Sequence, residues 1–143
     1  MIGNNILSRV SCIRERSYIR IEEALRREGF EGITASQGDL FMILGSRSEP
    51  VRISEFVERT GKAKSTITSN LKTLEKHSYV FKVRNPDDSR SFMISLTDKG
   101  RSVLPLMKEI SEELYGIIYK DISEDSIRLL SHILGKIETN LSS

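Results

Sequence analysis

Apolar residues recur every three or four positions near both ends of the chain, which predicts long amphipathic helices in those regions. The first set ends near Gly29, a residue type common at helix C-termini. Thr97 and Ser123 are N-capping residues in front of the other two sets. Pro105, inside the second set, lacks a backbone N–H and is expected to bend that helix. The stripe positions are Ile6, Val10, Ile13, Ser17, Ile21, Ala24 and Leu25, then Val103, Leu104, Met107, Ile110, Leu114, Ile117 and Ile118, and finally Ile127, Leu130, Ile133, Leu134, Ile137 and Leu141.

Shorter elements are predicted between the first and second sets. Thr34-Ala35-Ser36-Gln37 has the spacing of a capping box and predicts a second helix that stops at Gly45. Val51 to Ile53 predicts a very short strand. Ser54 to Thr60 then predicts a helix that buries Phe56 and Val57 and that Gly61 ends.

A fourth helix is predicted to start near Ala63, because apolar residues again recur at helical spacing. Its polar side carries an unusual number of Ser and Thr residues, which are poor helix formers. That cost to helix stability favours a function for the polar face. The buried seam is Ala63, Ile67, Leu71 and Leu74, and the opposite side carries Ser65, Ser69, Lys72 and Lys76.

Strict alternation after the fourth helix predicts two paired strands. Asn85 to Asp88 supplies the turn residues between them. The alternating positions are Tyr79, Phe81 and Val83 in the first strand, and Phe92, Ile94 and Leu96 in the second.

The order of these elements predicts a mainly α fold with a small β-hairpin wing. Residues 34–100 form a winged helix-turn-helix, and the helices of residues 1–30 and 101–143 flank it within a single protomer of residues 1–143. A domain of this size cannot easily bury three long apolar stripes on so small a core, so we expect the flanking helices to pack against a second copy as dimerisation helices.

Charge is distributed unevenly along the chain, although the net charge is only +2. Residues 62–90 carry seven basic and three acidic side chains, a net charge of +4, whereas residues 106–143 carry four basic and seven acidic ones, a net charge of −3. Local positive charge favours contact with a polyanion, so the middle of the chain is the candidate nucleic-acid interface.

Double-stranded DNA is the predicted partner of that middle region. A recognition helix enters the major groove and presents its outward side chains to base edges and phosphates. A wing-tip arginine reaches the narrow minor groove, and the neighbouring carboxylates are expected to hold it in place. The predicted contacts are Lys64, Ser65, Thr66, Thr68, Ser69, Lys72 and Lys76 in the recognition helix, and Arg84, Asp88, Ser89 and Arg90 in the wing.

Five short motifs follow one another in this region: residues 53–61 (ISEFVERTG), 64–68 (KSTIT), 74–76 (LEK), 88–90 (DSR) and 96–100 (LTDKG). In this combination the chain resembles the MarR family of bacterial transcriptional regulators, and the order of helices extends the resemblance over essentially the whole chain.

The resemblance implies a homodimer that binds a pseudo-palindromic operator with one recognition helix and one wing per half-site. It also implies repression or activation that a small-molecule effector or an oxidant relieves. By position, Lys64 to Lys72 match the recognition helix, Arg90 matches the wing-tip arginine, and Asp88 matches the acid that orients it.

Three positions depart from the family pattern. Ala63 stands where a capping Ser or Asp is usual, so the recognition helix lacks a hydrogen bond worth about 1 kcal/mol. Ser69 stands where an arginine is frequent. Ser78 replaces the usual glycine at a position where a left-handed backbone is expected.

Cys12 is the single cysteine, so an internal disulfide or a Cys-rich zinc site is excluded, which suits a reducing compartment such as the cytoplasm. Its place early in the first helix is similar to that of the reactive cysteine in the peroxide-sensing branch of the family, and Tyr18 is the nearest counterpart of that branch's tyrosines. Cys12 is therefore a candidate redox sensor, and a buried apolar role is its alternative.

No other motif points to different chemistry. His77 and His132 lack metal-ligand spacing, and no nucleophile–base set or glycine-rich phosphate loop occurs, so neither an enzyme nor a metal or cofactor is expected. No apolar stretch approaches the ~20 residues of a membrane span. The alternative function is a winged-helix protein-interaction module without specific DNA binding, but the polar recognition face favours DNA.

Overall fold

The computed structural model of the chain describes residues 5–142. Residues 1–4 and 143, which belong to the predicted flanking segments, lie outside the described residues. No helix of residues 5–142 is both long and apolar enough to span a membrane. The elements are α1 Ile6–Arg27, a 3-10 turn Ala35–Gln37, α2 Gly38–Gly45, β1 Val51–Arg52, α3 Ile53–Thr60, α4 Lys64–Lys76, β2 Val80–Arg84, β3 Phe92–Leu96, α5 Asp98–Ile118 and α6 Glu124–Leu141.

The mainly α fold with a small wing is confirmed, and each predicted element is present. Three antiparallel strands form one sheet in the order β1-β3-β2. The described part of the chain divides into two compact units, with the boundary after Ile110, and the buried core lies in the first. Its largest fully buried side chains are Tyr79, Phe41, Phe56, Leu25, Leu40, Ile67 and Leu74.

Local capping signals close the helices as the sequence predicts. Gly29 has φ +84, and the N–H of Phe30 donates to the Leu25 carbonyl at 3.0 Å, which closes α1. The side chain of Gln37 accepts a hydrogen bond from the Thr34 N–H at 3.0 Å, as its place in the capping box predicts.

The helix-turn-helix consists of α3 and α4 around Gly61, which has φ +70 and accommodates the sharp turn. Ile67, Leu71 and Leu74 are buried along one side of α4. Ala63 was predicted to begin this seam, and that prediction is wrong, because Ala63 is the exposed N-cap residue with extended backbone angles. Its methyl group accepts no hydrogen bond, so α4 starts without a side-chain cap.

The end of α4 is closed by a residue in the left-handed region. Ser78 has φ 64, its N–H donates to the Glu75 carbonyl at 3.0 Å, and the N–H of Tyr79 donates to the Leu74 carbonyl at 2.9 Å. This pair of bonds is a Schellman motif with serine where glycine is usual. Because Tyr79 completes the motif, β2 begins at Val80, one residue later than the alternation predicts.

Tyr79 is fully buried, and its hydroxyl donates to the Glu31 carbonyl at 2.5 Å. Burial raises the pKa of the Tyr79 phenol above its ordinary value, and the nearby Glu31 carboxylate raises that pKa further. Because the folded pKa is the higher one, this phenol stabilises the fold below the ordinary tyrosine pKa, and its contribution is lost as the pH rises through the folded pKa.

Thr97 joins the wing to α5. Its hydroxyl accepts from the Gly100 N–H at 3.0 Å, which confirms the predicted cap, and it donates to the Ser78 carbonyl at 2.6 Å. The N–H of Thr97 donates to the Tyr79 carbonyl at 3.1 Å. A Cβ atom at Gly100 would lie 2.1 Å from that same carbonyl oxygen, so only glycine fits there.

Gly100→Ala is expected to lower the free energy of unfolding by about 1–3 kcal/mol, because the added methyl group forces the Tyr79 carbonyl out of place. The measurement is urea unfolding followed by circular dichroism at one fixed protein concentration. Gly38→Ala is the control, since Gly38 is helical and nothing lies within 4 Å of its added Cβ. It should be neutral or gain up to about 1 kcal/mol. Equal stability of the two variants would refute the close contact.

Candidate nucleic-acid interface

The outward side of α4 is polar, cationic and exposed, as the sequence predicts. The buried seam turns this face away from the core, because residues three and four positions apart share one side of a helix. Every predicted contact on the helix is exposed: Lys64, Ser65, Thr66, Thr68, Ser69, Lys72 and Lys76. Their hydroxyl and ammonium groups are therefore available to an external partner.

Several cations of this region have no acidic partner within residues 5–142. They form no salt bridge there, so neighbouring carboxylates do not neutralise their charge, and they are Lys64, Lys72, Lys76, Arg84 and Arg90. Lys82 differs, because its ammonium lies 3.9 Å from a Glu75 carboxylate oxygen. The unpaired cations are the ones that a polyanion can bind without first breaking an ion pair.

Lys62 also counts toward the positive charge of residues 62–90, but the fold uses it internally. Its ammonium lies 3.0 Å from Asp39 Oδ2 and donates to the Ser36 carbonyl at 2.7 Å. These contacts connect the turn between α3 and α4 to the start of α2. Lys62 is therefore part of the support for the recognition helix.

A groove of about 830 Å³ separates α4 from the wing. Its α4 wall includes Lys64, Thr68 and Lys72, and its wing wall includes Asp88 and Arg90. The fold thus brings both halves of the predicted site to one groove. The other predicted residues, Ser65, Thr66, Ser69, Lys76, Arg84 and Ser89, are exposed but do not line it.

The floor of the groove is apolar where the helix-turn-helix meets the sheet, and it includes Ile53, Val57, Leu71 and Ile94. Phe92 is 42% exposed at its edge, and the Lys82 ammonium lies 5.4 Å from the centre of the Phe92 ring. A cation at this position partly covers the aromatic surface.

The wing tip, residues 85–91, is organised around a buried asparagine. Asn85 Oδ1 accepts from the Asp87 N–H at 3.0 Å, and Asn85 Nδ2 donates to Ser91 Oγ at 3.1 Å. The Asn85 N–H also donates to the Ser91 carbonyl at 3.2 Å. These bonds satisfy the polar groups of the turn and give it a defined shape.

The carboxylates of the tip do not hold the Arg90 guanidinium, contrary to the sequence-based expectation. Asp88 Oδ1 accepts from the backbone N–H of Arg90 at 3.0 Å, because a side chain two residues before an N–H readily closes such a turn. Asp87 binds Arg52 instead, at 3.0 Å. Within residues 5–142 the Arg90 side chain therefore has no ion-pair partner, and its guanidinium is available to an external anion.

Arg52 is a groove residue that the sequence reasoning missed. It is the outward residue of β1, next to the buried Val51, and it pairs with Met93 in the sheet register. Alternation along the predicted short strand gives the outward direction of Arg52, but not its partner. Asp87 lies 35 residues away, and only the β1–β3 pairing brings the two together.

Two kinds of comparison relate this chain to known proteins. Its fold matches that of a MarR transcriptional regulator from Methanosarcina mazei Go1 with a TM-score of 0.76 and 23% identity, over 96% of both chains. It matches Staphylococcus aureus MepR, crystallised as a DNA complex, with a TM-score of 0.83 and 17% identity, over 94% of this chain and 97% of that one. At these identities the likeness shows the fold alone.

Similarity in sequence identifies the family of this chain more specifically than similarity in fold does. The family model of the SarA/Rot transcriptional regulators, a MarR-type winged-helix group, matches residues 40–107. The HTH-type transcriptional regulator SarZ of Staphylococcus haemolyticus is 31% identical over 100 residues, which cover 66% of this chain and 67% of SarZ. The chain belongs to the MarR family. This membership confirms the resemblance seen in the sequence motifs.

Cys12 of this MarR-family chain is a half-buried free cysteine on α1. The Arg14 guanidinium, a neighbouring positive charge, lies 4.9 Å from the centre of the Tyr18 ring.

Residues 5–142 contain no cluster of three or more His, Cys, Asp or Glu side chains arranged to hold a metal ion.

Proposed function

We propose that this MarR-family chain is a dimeric transcriptional regulator that binds double-stranded DNA at a pseudo-palindromic operator. In each half-site α4 enters the major groove, and the wing places Arg90 in the adjacent minor groove. The predicted contacts keep these roles: the α4 residues Lys64 to Lys76 read bases and phosphates, and Arg84, Asp88, Ser89 and Arg90 form the wing contact.

The observation that carries this proposal is a set of five exposed cations on α4 and the wing that form no salt bridge with any described residue from 5 to 142. Binding DNA through such side chains releases condensed counterions from the phosphates, which drives association. The exposed hydroxyls of Ser65, Thr66, Thr68 and Ser69 lie on the same helix, where they can hydrogen-bond base edges.

The homodimer is supported by exposed apolar side chains on the flanking helices, which water does not solvate favourably. They are Ile6, Leu7, Val10, Ile13 and Ile19 on α1, Tyr115 and Ile117 on α5, and Leu129, Leu130, Ile133, Leu134 and Leu141 on α6. A second copy of the same helices offers a matching apolar surface and buries these side chains symmetrically.

The signal that controls DNA binding is proposed from family membership. Residues 34–100 act as the DNA-binding part, and the flanking helices act as the dimerisation part of a cytoplasmic repressor. A small-molecule effector or an oxidant releases the operator, and Cys12 is the candidate sensor for an oxidant.

Lys72→Ala is expected to weaken binding about equally for all DNA sequences, because an ammonium contacts phosphates and does not read bases. The slope of log affinity against log salt should fall by about one ion. The measurement is fluorescence anisotropy at several salt concentrations. Lys108→Ala, an exposed lysine of α5, is the control of equal charge. Identical slopes for both variants would contradict the assignment, and a flat slope for the unaltered protein would favour the protein-interaction alternative.

Arg90→Ala is expected to reduce operator affinity about tenfold or more, which corresponds to losing a hydrogen bond to a charged group of about 1.5–3 kcal/mol. Arg90→Lys should recover only part of this loss, since a guanidinium suits a narrow minor groove better than an ammonium. Circular dichroism should show an unchanged fold, because Arg90 is exposed. Unchanged affinity would remove the wing from the interface.

Ile13→Glu is expected to shift the protein toward monomers and to weaken operator binding, because a charge at the dimer surface opposes its burial. Ile13 is 57% exposed on α1. Met42→Glu is the control, since Met42 is 72% exposed on α2, outside the predicted dimerisation helices. Sedimentation equilibrium measures the assembly state. A dimer of undiminished strength with Ile13→Glu would argue against this use of α1.

A further inference from the structure

The ion pair between Arg52 and Asp87 connects the wing tip to the body of the domain. Arg52 Nη2 lies 3.0 Å from Asp87 Oδ2, in a geometry that is also a hydrogen bond. Among the hydrogen bonds and salt bridges of residues 5–142, it is the one that links the tip to an element outside the hairpin. Arg52 therefore fixes a point of the tip that the two strands alone do not hold.

The tip transmits this restraint to Arg90. The Asp87 N–H is bound by Asn85 Oδ1, and the Arg90 N–H is bound by Asp88 Oδ1, both at 3.0 Å. Asn85 is buried and also bonds Ser91, so hydrogen bonds connect the turn across its whole length. A restraint on the Asp87 carboxylate thus restrains the backbone that carries the Arg90 side chain.

The same pair changes the electrostatics of the groove. Arg52 and Asp87 both line it, together with Lys64 and Lys72 of α4 and with the carboxylates of Glu58 and Asp88. An unpaired carboxylate here would repel a nearby phosphate, and a guanidinium at hydrogen-bond distance cancels that repulsion. Both effects of the pair, restraint and neutralisation, act in the direction of DNA binding.

We propose that Arg52 is a positioning residue of the wing, which binds Asp87 and thereby presents Arg90 to DNA and masks a carboxylate that would repel phosphate. This inference rests on the proposed function as a DNA-binding protein. It differs from a direct contact between Arg52 and phosphate, because the guanidinium acts through Asp87.

A double-mutant cycle distinguishes positioning of the wing through Asp87 from direct contact between Arg52 and phosphate. Arg52→Gln should weaken operator binding about three- to fivefold when Asp87 is present, the range expected for an exposed ion pair. In an Asp87→Asn background the same substitution should change affinity by less than about 1.5-fold, since Arg52 then has lost the carboxylate that it pairs with. An equal loss in both backgrounds would assign Arg52 to phosphate contact and overturn the proposal, as would no loss in either.

Variants that restore an ion pair between positions 52 and 87 provide a second test of the proposal. Arg52→Lys should retain most of the affinity, and the exchanged pair Arg52→Asp with Asp87→Arg should restore it to within about twofold. Arg59→Gln is the control of equal charge, because Arg59 pairs with Glu55 at 3.7 Å and does not line the groove. Failure of the exchanged pair to bind better than Arg52→Asp alone would also overturn the proposal.

Amide hydrogen exchange in the free protein tests the restraint without DNA. The Arg90 amide should exchange about threefold faster in Arg52→Gln and in Asp87→Asn, and at the original rate in Arg59→Gln. If the unaltered protein binds no DNA but Arg90 exchange responds as expected, the proposed function fails and the restraint stands. If DNA binds and Arg90 exchange is unchanged in both variants, the positioning role fails alone.

Discussion

The carbonyl oxygen of Tyr79 is the point on which the geometry of the winged domain depends. This oxygen accepts a hydrogen bond from the N–H of Thr97. Gly100 has no side chain and therefore leaves room for the oxygen. Through this one atom the end of α4, the start of β2, the end of β3 and the start of α5 are held together. The angle between the recognition helix and the wing follows from that junction, because β2 leaves α4 immediately after the Schellman motif at Ser78. The buried Tyr79 ring anchors the junction in the hydrophobic core.

The distribution of ion pairs decides which charges are available for binding. Lys62, Arg52 and Lys82 are engaged by Asp39, Asp87 and Glu75, so these cations support the fold or shape the groove. Among the cations of residues 62–90, those that form no salt bridge within the described residues 5–142 lie on α4 and on the wing. Net charge along the sequence pointed to the region that contains both groups, but it could not separate them, because pairing depends on contacts between residues far apart in the chain.

Helical periodicity and capping residues predicted most of the fold because they act within a few residues. Gly29, Gly61 and Thr97 close or cap their helices as expected, and Ser78 adopts the left-handed backbone that its place in the family pattern implies. The failures were of two kinds. Ala63 was assigned to the seam by spacing alone, although as an N-cap residue it lies outside the helical repeat. The Asp87 and Asp88 partners were assigned by proximity along the chain, whereas the sheet brings Arg52 to Asp87 and the turn brings Asp88 to a backbone N–H.

The two contacts of Lys62 have a mechanical consequence for the recognition helix. One ammonium group bridges the carboxylate and carbonyl oxygens at the start of α2 to the turn that precedes α4. The first turn of α4 therefore cannot swing freely while α2 stays still, since such a motion would separate opposite charges across a half-buried contact. Displacing α2 by even a fraction of a hydrogen-bond length puts tension on this bridge, which makes the orientation of α4 sensitive to events on a neighbouring helix that does not line the groove.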